Sequence, residues 1–108
     1  MKKITIIHVD GHLSISKLDE DNELDELQKA VGGYIESIPY FELFNGIPCE
    51  AYCNEEGKLD GLPVNHAATS LWEEQVPGAR DLFAGDHLIL TGDYLVGDVA
   101  IVQSFEVA

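Results

Sequence analysis

Three groups of residues in this sequence could do chemistry. The first is the stretch CNEEGKLDGLPVN at residues 53–65, which gathers acids, amides, two glycines and a proline between apolar segments. A helix-flanked calcium loop needs acids at positions 1, 3 and 5, glycine at 6 and glutamate at 12. Counted from Asn54, this stretch offers Glu56 at position 3 but Lys58, Leu59 and Asn65 at positions 5, 6 and 12, so the pattern fails. Backbone punctuation accounts for each unusual residue. Gly57 and Gly61 supply tight turns, Pro63 biases Leu62 toward an extended conformation, and Asn65 offers a side-chain oxygen to the free amides of a following helix. The stretch still places polar groups beside a helix N-terminus, which favours anions. Asn54, Asn65 and His66 are therefore the candidate ligand-binding residues, opposed by the charges of Glu55, Glu56 and Asp60.

The second group is Asp19, Glu20, Asp21, Glu23, Asp25 and Glu26, six carboxylates in eight residues. Acid–base catalysis needs a carboxylate whose pKa burial has shifted, and a solvated run offers none. The run reads as a capped helix start facing water. It also reads as an electronegative patch for a basic partner, and these six are the candidate partner-binding residues. The third group is Cys49, Cys53 and the histidines at 8, 12, 66 and 87. The two cysteines lack the spacing of a zinc knuckle and have no second pair. In a strand, residues four apart lie about 13 Å apart, beyond disulfide reach, so both are expected as free thiols. His8 and His12 flank a turn and read as a sheet surface. There is no G-x-S-x-G elbow, phosphate-binding glycine loop or H-E-x-x-H. The sequence thus assigns no catalytic residue, metal ligand or cofactor, and reads as non-catalytic.

The elements that position these groups follow from periodicity. Residues 4–9 (ITIIHV) form an interior strand, apolar on both faces. Asp10-Gly11 turns it into a second strand over residues 12–18. Leu24, Leu27 and Val31 make one helical stripe, with Asp21 or Asn22 as N-cap and Gly32-Gly33 as the stop. Residues 34–38 are a short strand. Asn45-Gly46 joins hairpin arms at 41–44 and 47–53, with Cys49, Ala51 and Cys53 on one face and Glu50 and Tyr52 on the other. Asn65 caps a second helix, which carries Ala68, Leu71 and a core Trp72 and ends at Pro77-Gly78. Residues 87–90 and 99–102 are strands. The expected fold is a single α+β domain with two short helices against a mainly antiparallel, strongly bent sheet.

The chain has 108 residues and a formal net charge of −14, from 20 acids against six bases. That balance excludes direct nucleic-acid binding, which needs Lys and Arg, and permits basic partners. DNA mimicry is a narrower form of the same idea. A folded chain of this mass exposes about 6,000 Å², or roughly one net charge per 400 Å², against about one per 100 Å² on duplex DNA. Mimicry therefore requires the acids on one face. No apolar run approaches a membrane span. The opening run is shorter than a signal peptide's, so a cytoplasmic location is expected.

Three segments carry a resemblance: LQKAVGGYIE at residues 27–36, CNEEGKLDGLPVNHAAT at 53–69, and a Gly-Asp-Val strand at 97–102. Together they resemble a family of small uncharacterised domains of phages, plasmids and conjugative elements, over residues 3–103. The chain departs from that pattern in the longer segment DLFAGDHLILTGDYL. The resemblance implies no catalytic residues; it implies an accessory protein of a mobile element. The expected function is contact with a basic host protein surface, in counter-defence or DNA mimicry. The alternative is a small-molecule or nucleotide-sequestering protein. A homodimer is compatible with the sequence.

Overall fold

A computed structural model describes residues 1–76 and 93–105. The expected strand at 87–90 and the Pro77-Gly78 helix end lie outside the described residues. The elements run β1 (Lys2–Ile7), β2 (Leu13–Lys17), α1 (Glu23–Val31, led by a 3₁₀ turn at Glu20–Asn22), β3 (Ile35–Ser37), β4 (Leu43–Phe44), β5 (Ile47–Pro48), β6 (Glu50–Asn54), α2 (His66–Glu73) and β7 (Val99–Ser104). Five strands form an antiparallel sheet in the order β2-β1-β7-β6-β3, and β4 and β5 form a separate hairpin. The α+β class is as expected.

The central strand explains the layering. β7 reads VAIVQS, and its first five residues are buried. Alternate side chains therefore need cover on both faces. Val99 and Ile101 pack with Ile7 of β1, Ala51 of β6, Phe41, Phe44 and the α2 residues Ala68 and Trp72. Ala100 and Val102 pack on the opposite face with Ile4, Leu18 and the α1 residues Leu27 and Val31. Gln103 continues the first face; its amide donates to the carbonyls of Phe44 and Ile47 at 3.0 and 3.2 Å and ties the small hairpin to the sheet.

Several local expectations change in detail. The first turn spans three residues, because the amides of His8 and Gly11 donate to the carbonyls of His12 and His8. Asp19 caps the 3₁₀ turn by accepting from the Asp21 amide at 3.0 Å. Asn22 occupies the α1 N-cap, but its side chain does not bond the helix amides. Leu27 and Val31 are buried, whereas Leu24 is 56% exposed, so the helical stripe is narrower than the periodicity suggested. Asn45 and Gly46 both take positive φ, 53° and 75°, the conformation of a type I′ turn. The arm that follows breaks at Cys49: β5 pairs with β4, while β6 joins the large sheet. Ala51 and Cys53 of β6 do share the α2 face, with Tyr52 on the α1 face.

Candidate functional site

The six acids of residues 19–26 divide into two sets. Asp19, Glu23 and Glu26 are engaged internally. Asp19 accepts from Asp21 and from the Asn22 side chain, and Glu26 accepts from the Asp19 amide at 2.9 Å. Glu23 pairs with Lys2 at 2.9 Å. That hydrogen bond raises the Lys2 ammonium above its ordinary pKa, with weaker support from the charges of Glu20 and Glu50. Glu20, Asp21 and Asp25 are exposed, with no ion pair among the described residues. Leu24 lies in the first turn of α1, directly before Asp25 and just after the 3₁₀ turn that carries Glu20 and Asp21. The outcome is an exposed leucine in a segment whose acids Glu20, Asp21 and Asp25 are also exposed, with Glu20 and Glu50 of β6 adding to the negative field at Lys2.

A second feature is a cleft of about 320 Å³ on the α2 face. Glu36 and Ser37 of the edge strand β3 form one wall, Cys53 and Asn54 the end of β6, and Lys58 and Leu59 the following turn. Trp72 lies at its inner side, 3% exposed, with its indole N–H donating to the Pro39 carbonyl at 2.6 Å. Tyr94 closes the other side. Lys58 pairs with Asp93, and its ammonium sits 4.6 Å from the centre of the Tyr94 ring, an attraction between a cation and the ring's negative face. Glu36, Glu55 and Asp93 outnumber Lys58 among the lining charges, so the cleft suits a neutral or cationic group better than a phosphate. No short-range pattern marks this grouping, since Lys58 and Asp93 are 35 residues apart.

The three candidate ligand residues do not converge. Asn54 lines the cleft, but its amide donates to the Val31 carbonyl at 3.2 Å and its oxygen accepts from the Glu56 amide at 2.9 Å. His66 is exposed on the first turn of α2. Asn65 is fully buried. Its oxygen accepts from the Ala68 amide at 3.0 Å, and its nitrogen donates to the carbonyls of Ile7 and Gly97 at 2.8 and 2.9 Å. Asn65 thus locks the end of β1, the approach to β7 and the start of α2 together.

A third cluster forms where β1 turns into β2. The His8 ring donates its Nδ1–H to the Asp98 carboxylate at 3.1 Å, lies 2.7 Å from the Ser14 hydroxyl at Nε2, and stacks on His12 with centroids 4.0 Å apart. Asp98 also accepts from the Val9 amide at 3.0 Å. The order carboxylate–imidazole–hydroxyl is that of an activated serine. Ser14, however, stands on a strand exposed along its whole length and does not line the cleft. Nucleophilic catalysis also needs oxyanion donors and a sheltered substrate position, and no such donors face Ser14 among the described contacts. The cluster staples the first hairpin to the start of β7.

Both cysteines are free thiols, as expected. Burial first, then the Glu50 charge, pushes Cys49 up to about 11; burial first, then the Glu36 charge, pushes Cys53 up to about 11. Neither is a thiolate at neutral pH, which argues against a nucleophilic role. Among the described residues, no group of three or more His, Cys, Asp or Glu side chains is placed to hold a metal ion. Among the described residues, no helix is long and apolar enough to cross a membrane. A family model described as "Domain of unknown function (DUF3846)" matches residues 1–104. No curated protein and no solved structure matches the chain.

Proposed function

The chain belongs to this family of domains of unknown function, and on that premise we propose that it is a non-catalytic acidic binding protein that grips a basic protein surface. The observation that carries the reading is Leu24, 56% exposed amid Glu20, Asp21 and Asp25. A leucine outside the core gains by burial against a partner, and the exposed carboxylates of the same segment select lysine and arginine at the rim. The resemblance to domains of phages and conjugative elements supports the finer reading of a cytoplasmic accessory protein of a mobile element, with a host protein as the target. DNA mimicry is the less favoured form. A surface of 6768 Å² shared by a net charge of −14 gives about 480 Å² per charge, several-fold more dilute than a duplex at roughly 100 Å².

The test is capture from bacterial lysate on immobilised protein in 50 mM and 500 mM salt. The reading expects basic proteins retained at low salt, released at high salt, and lost with the combined variant Glu20→Gln, Asp21→Asn, Leu24→Ala, Asp25→Asn. Equal retention by this variant and the native chain would refute it. The cleft favours one second reading, a small-ligand binder. Its net negative lining argues for an amine or neutral molecule ahead of a nucleotide. A thermal-shift panel of nucleotides, amines and metals separates the two readings, because a shift of several degrees with one small molecule supports only the second.

A further inference from the structure

We propose that β2 is a self-association edge, through which two copies of this chain pair antiparallel and join their sheets into one. β2 is an outer strand of the five-stranded sheet, and all five of its residues are exposed. The Leu18 amide donates to the Lys2 carbonyl, and the His12 carbonyl accepts from the His8 amide. Even-numbered residues therefore point their backbone groups into β1. By the two-residue alternation of a strand, the N–H and C=O of Leu13, Ile15 and Lys17 point outward, away from β1. An edge presenting such a row is a template for another strand, and proteins that avoid pairing blunt it with charge, proline or a bulge. β2 reads LSISK: it has no proline, and its single charge is at its end. Its side chains match the same purpose. Leu13 and Ile15 lie opposite Ile7 and Thr5 of β1, on the α2 face, yet remain 48% and 62% exposed beyond the reach of the core.

A second copy fits this edge better than a basic partner does. In a chain with 20 acids, residues 12–18 contain none and include Lys17, so two strongly negative molecules approach here with less repulsion than at the acidic segments. A two-fold axis at Ser14 places Leu13 against Ile15 of the second copy, and Ile15 against its Leu13. Both are outward-pointing pairs that can exchange backbone hydrogen bonds. The same register sets Lys17 opposite Gly11 of the second copy, beside its Asp10. Apolar residues thus meet apolar residues, and the one cation meets an anion. The contact is isologous, so it closes at a dimer. Five-residue strands make a small interface, and association belongs in the weak class.

Sedimentation equilibrium of the full chain tests this, from about 10 μM to 1 mM protein in 50 mM and 500 mM salt. The expected result is a monomer–dimer equilibrium that tightens several-fold at high salt, as the repulsion between two acidic bodies is screened. Ile15→Lys and Leu13→Lys each place a cation into the seam. Each should weaken dimerisation at least tenfold while leaving the thermal midpoint of the monomer within about 3 °C, because both sites are already exposed. A monomer at every concentration and salt would overturn the proposal. So would a dimer that both variants retain, or one that salt weakens. The result is independent of partner capture, since the β2 edge and the acidic start of α1 are different surfaces.

Discussion

Replacing Asn65 should cost more than replacing any other polar residue described above. The side chain is fully buried and makes three hydrogen bonds, one accepted from Ala68 and two donated to Ile7 and Gly97. Loss of a helix cap costs about 1 kcal/mol. Each buried amide–carbonyl bond lost costs about 1–1.5 kcal/mol. Asn65→Ala should therefore lower stability by about 3–4 kcal/mol, a large part of the ~5–15 kcal/mol typical of a domain. The corresponding fall in thermal midpoint is roughly 15–25 °C. Asn65→Ser separates the components: it keeps an oxygen at the cap but cannot reach the two carbonyls, and should recover about 1 kcal/mol relative to alanine. Asn65→Asp also keeps the cap acceptor, but sets a carboxylate against two carbonyl oxygens. At pH 7 it should be at least as damaging as alanine. Urea unfolding, with Trp72 fluorescence and circular dichroism followed together, measures all three. A loss below about 1 kcal/mol for Asn65→Ala would refute the claim that this residue ties three elements together.

Further outcomes follow from the core and from the thiols. Trp72→Phe removes the hydrogen bond to Pro39 and part of a buried ring, and should cost about 1–2 kcal/mol by urea unfolding. Gly97→Ala meets two obstacles, a φ of +71° and a Cβ 2.8 Å from Leu62 Cδ1. It should cost about 1–3 kcal/mol, of which Leu62→Ala in the same chain relieves only the steric part. The folded state holds the Cys49 and Cys53 thiols at about 11, against an ordinary 9.0, mainly by burial. A raised pKa in the folded state means stability that is complete below pH 9 and lost as pH climbs toward 11. Tyr52, pushed up to about 12 by burial and then Glu50, extends the loss beyond pH 10. Thermal midpoints should therefore fall from about pH 9 upward, and Cys49→Ala with Cys53→Ala should flatten the early part of that fall. Native Cys53 should also react with iodoacetamide at pH 8 more than tenfold slower than the urea-unfolded chain.

Local chemistry was the most legible part of the sequence. Asn65 as a cap and Asn45-Gly46 as a turn each depend on residues a few positions away, so short-range rules sufficed. The interior character of β1 was equally visible, because both of its faces are apolar. The exposure of Leu24 is not legible in the periodicity, which reports only which residues share a helix face. How much of that face the sheet covers depends on α1 sitting over β6, β7 and β3, a tertiary fact. Residues 47–53 look like one strand in the sequence because they follow the Asn45-Gly46 turn and alternate Cys49, Ala51 and Cys53 with Glu50 and Tyr52. The break at Cys49 arises from β6 finding a better partner in β7, half the chain away. The cleft was invisible for the same reason, since Trp72, Lys58 and Tyr94 meet only when the sheet is assembled. Proximity along the chain does not distinguish a structural lock at Asn65 from an exposed side chain at His66.

A basic partner held at the acidic start of α1 would contact Leu24 together with Glu20, Asp21 and Asp25. The most direct measurement is an NMR titration of ¹⁵N-labelled protein with an amphipathic helical peptide carrying Leu at i, i+3, i+4 and i+7 and Lys on its other face. The account predicts saturable shifts concentrated on the amides of Glu20, Asp21, Leu24 and Asp25, abolished by 500 mM salt. Shifts centred on Glu36, Cys53 and Tyr94, or spread evenly over every acidic segment, would contradict it.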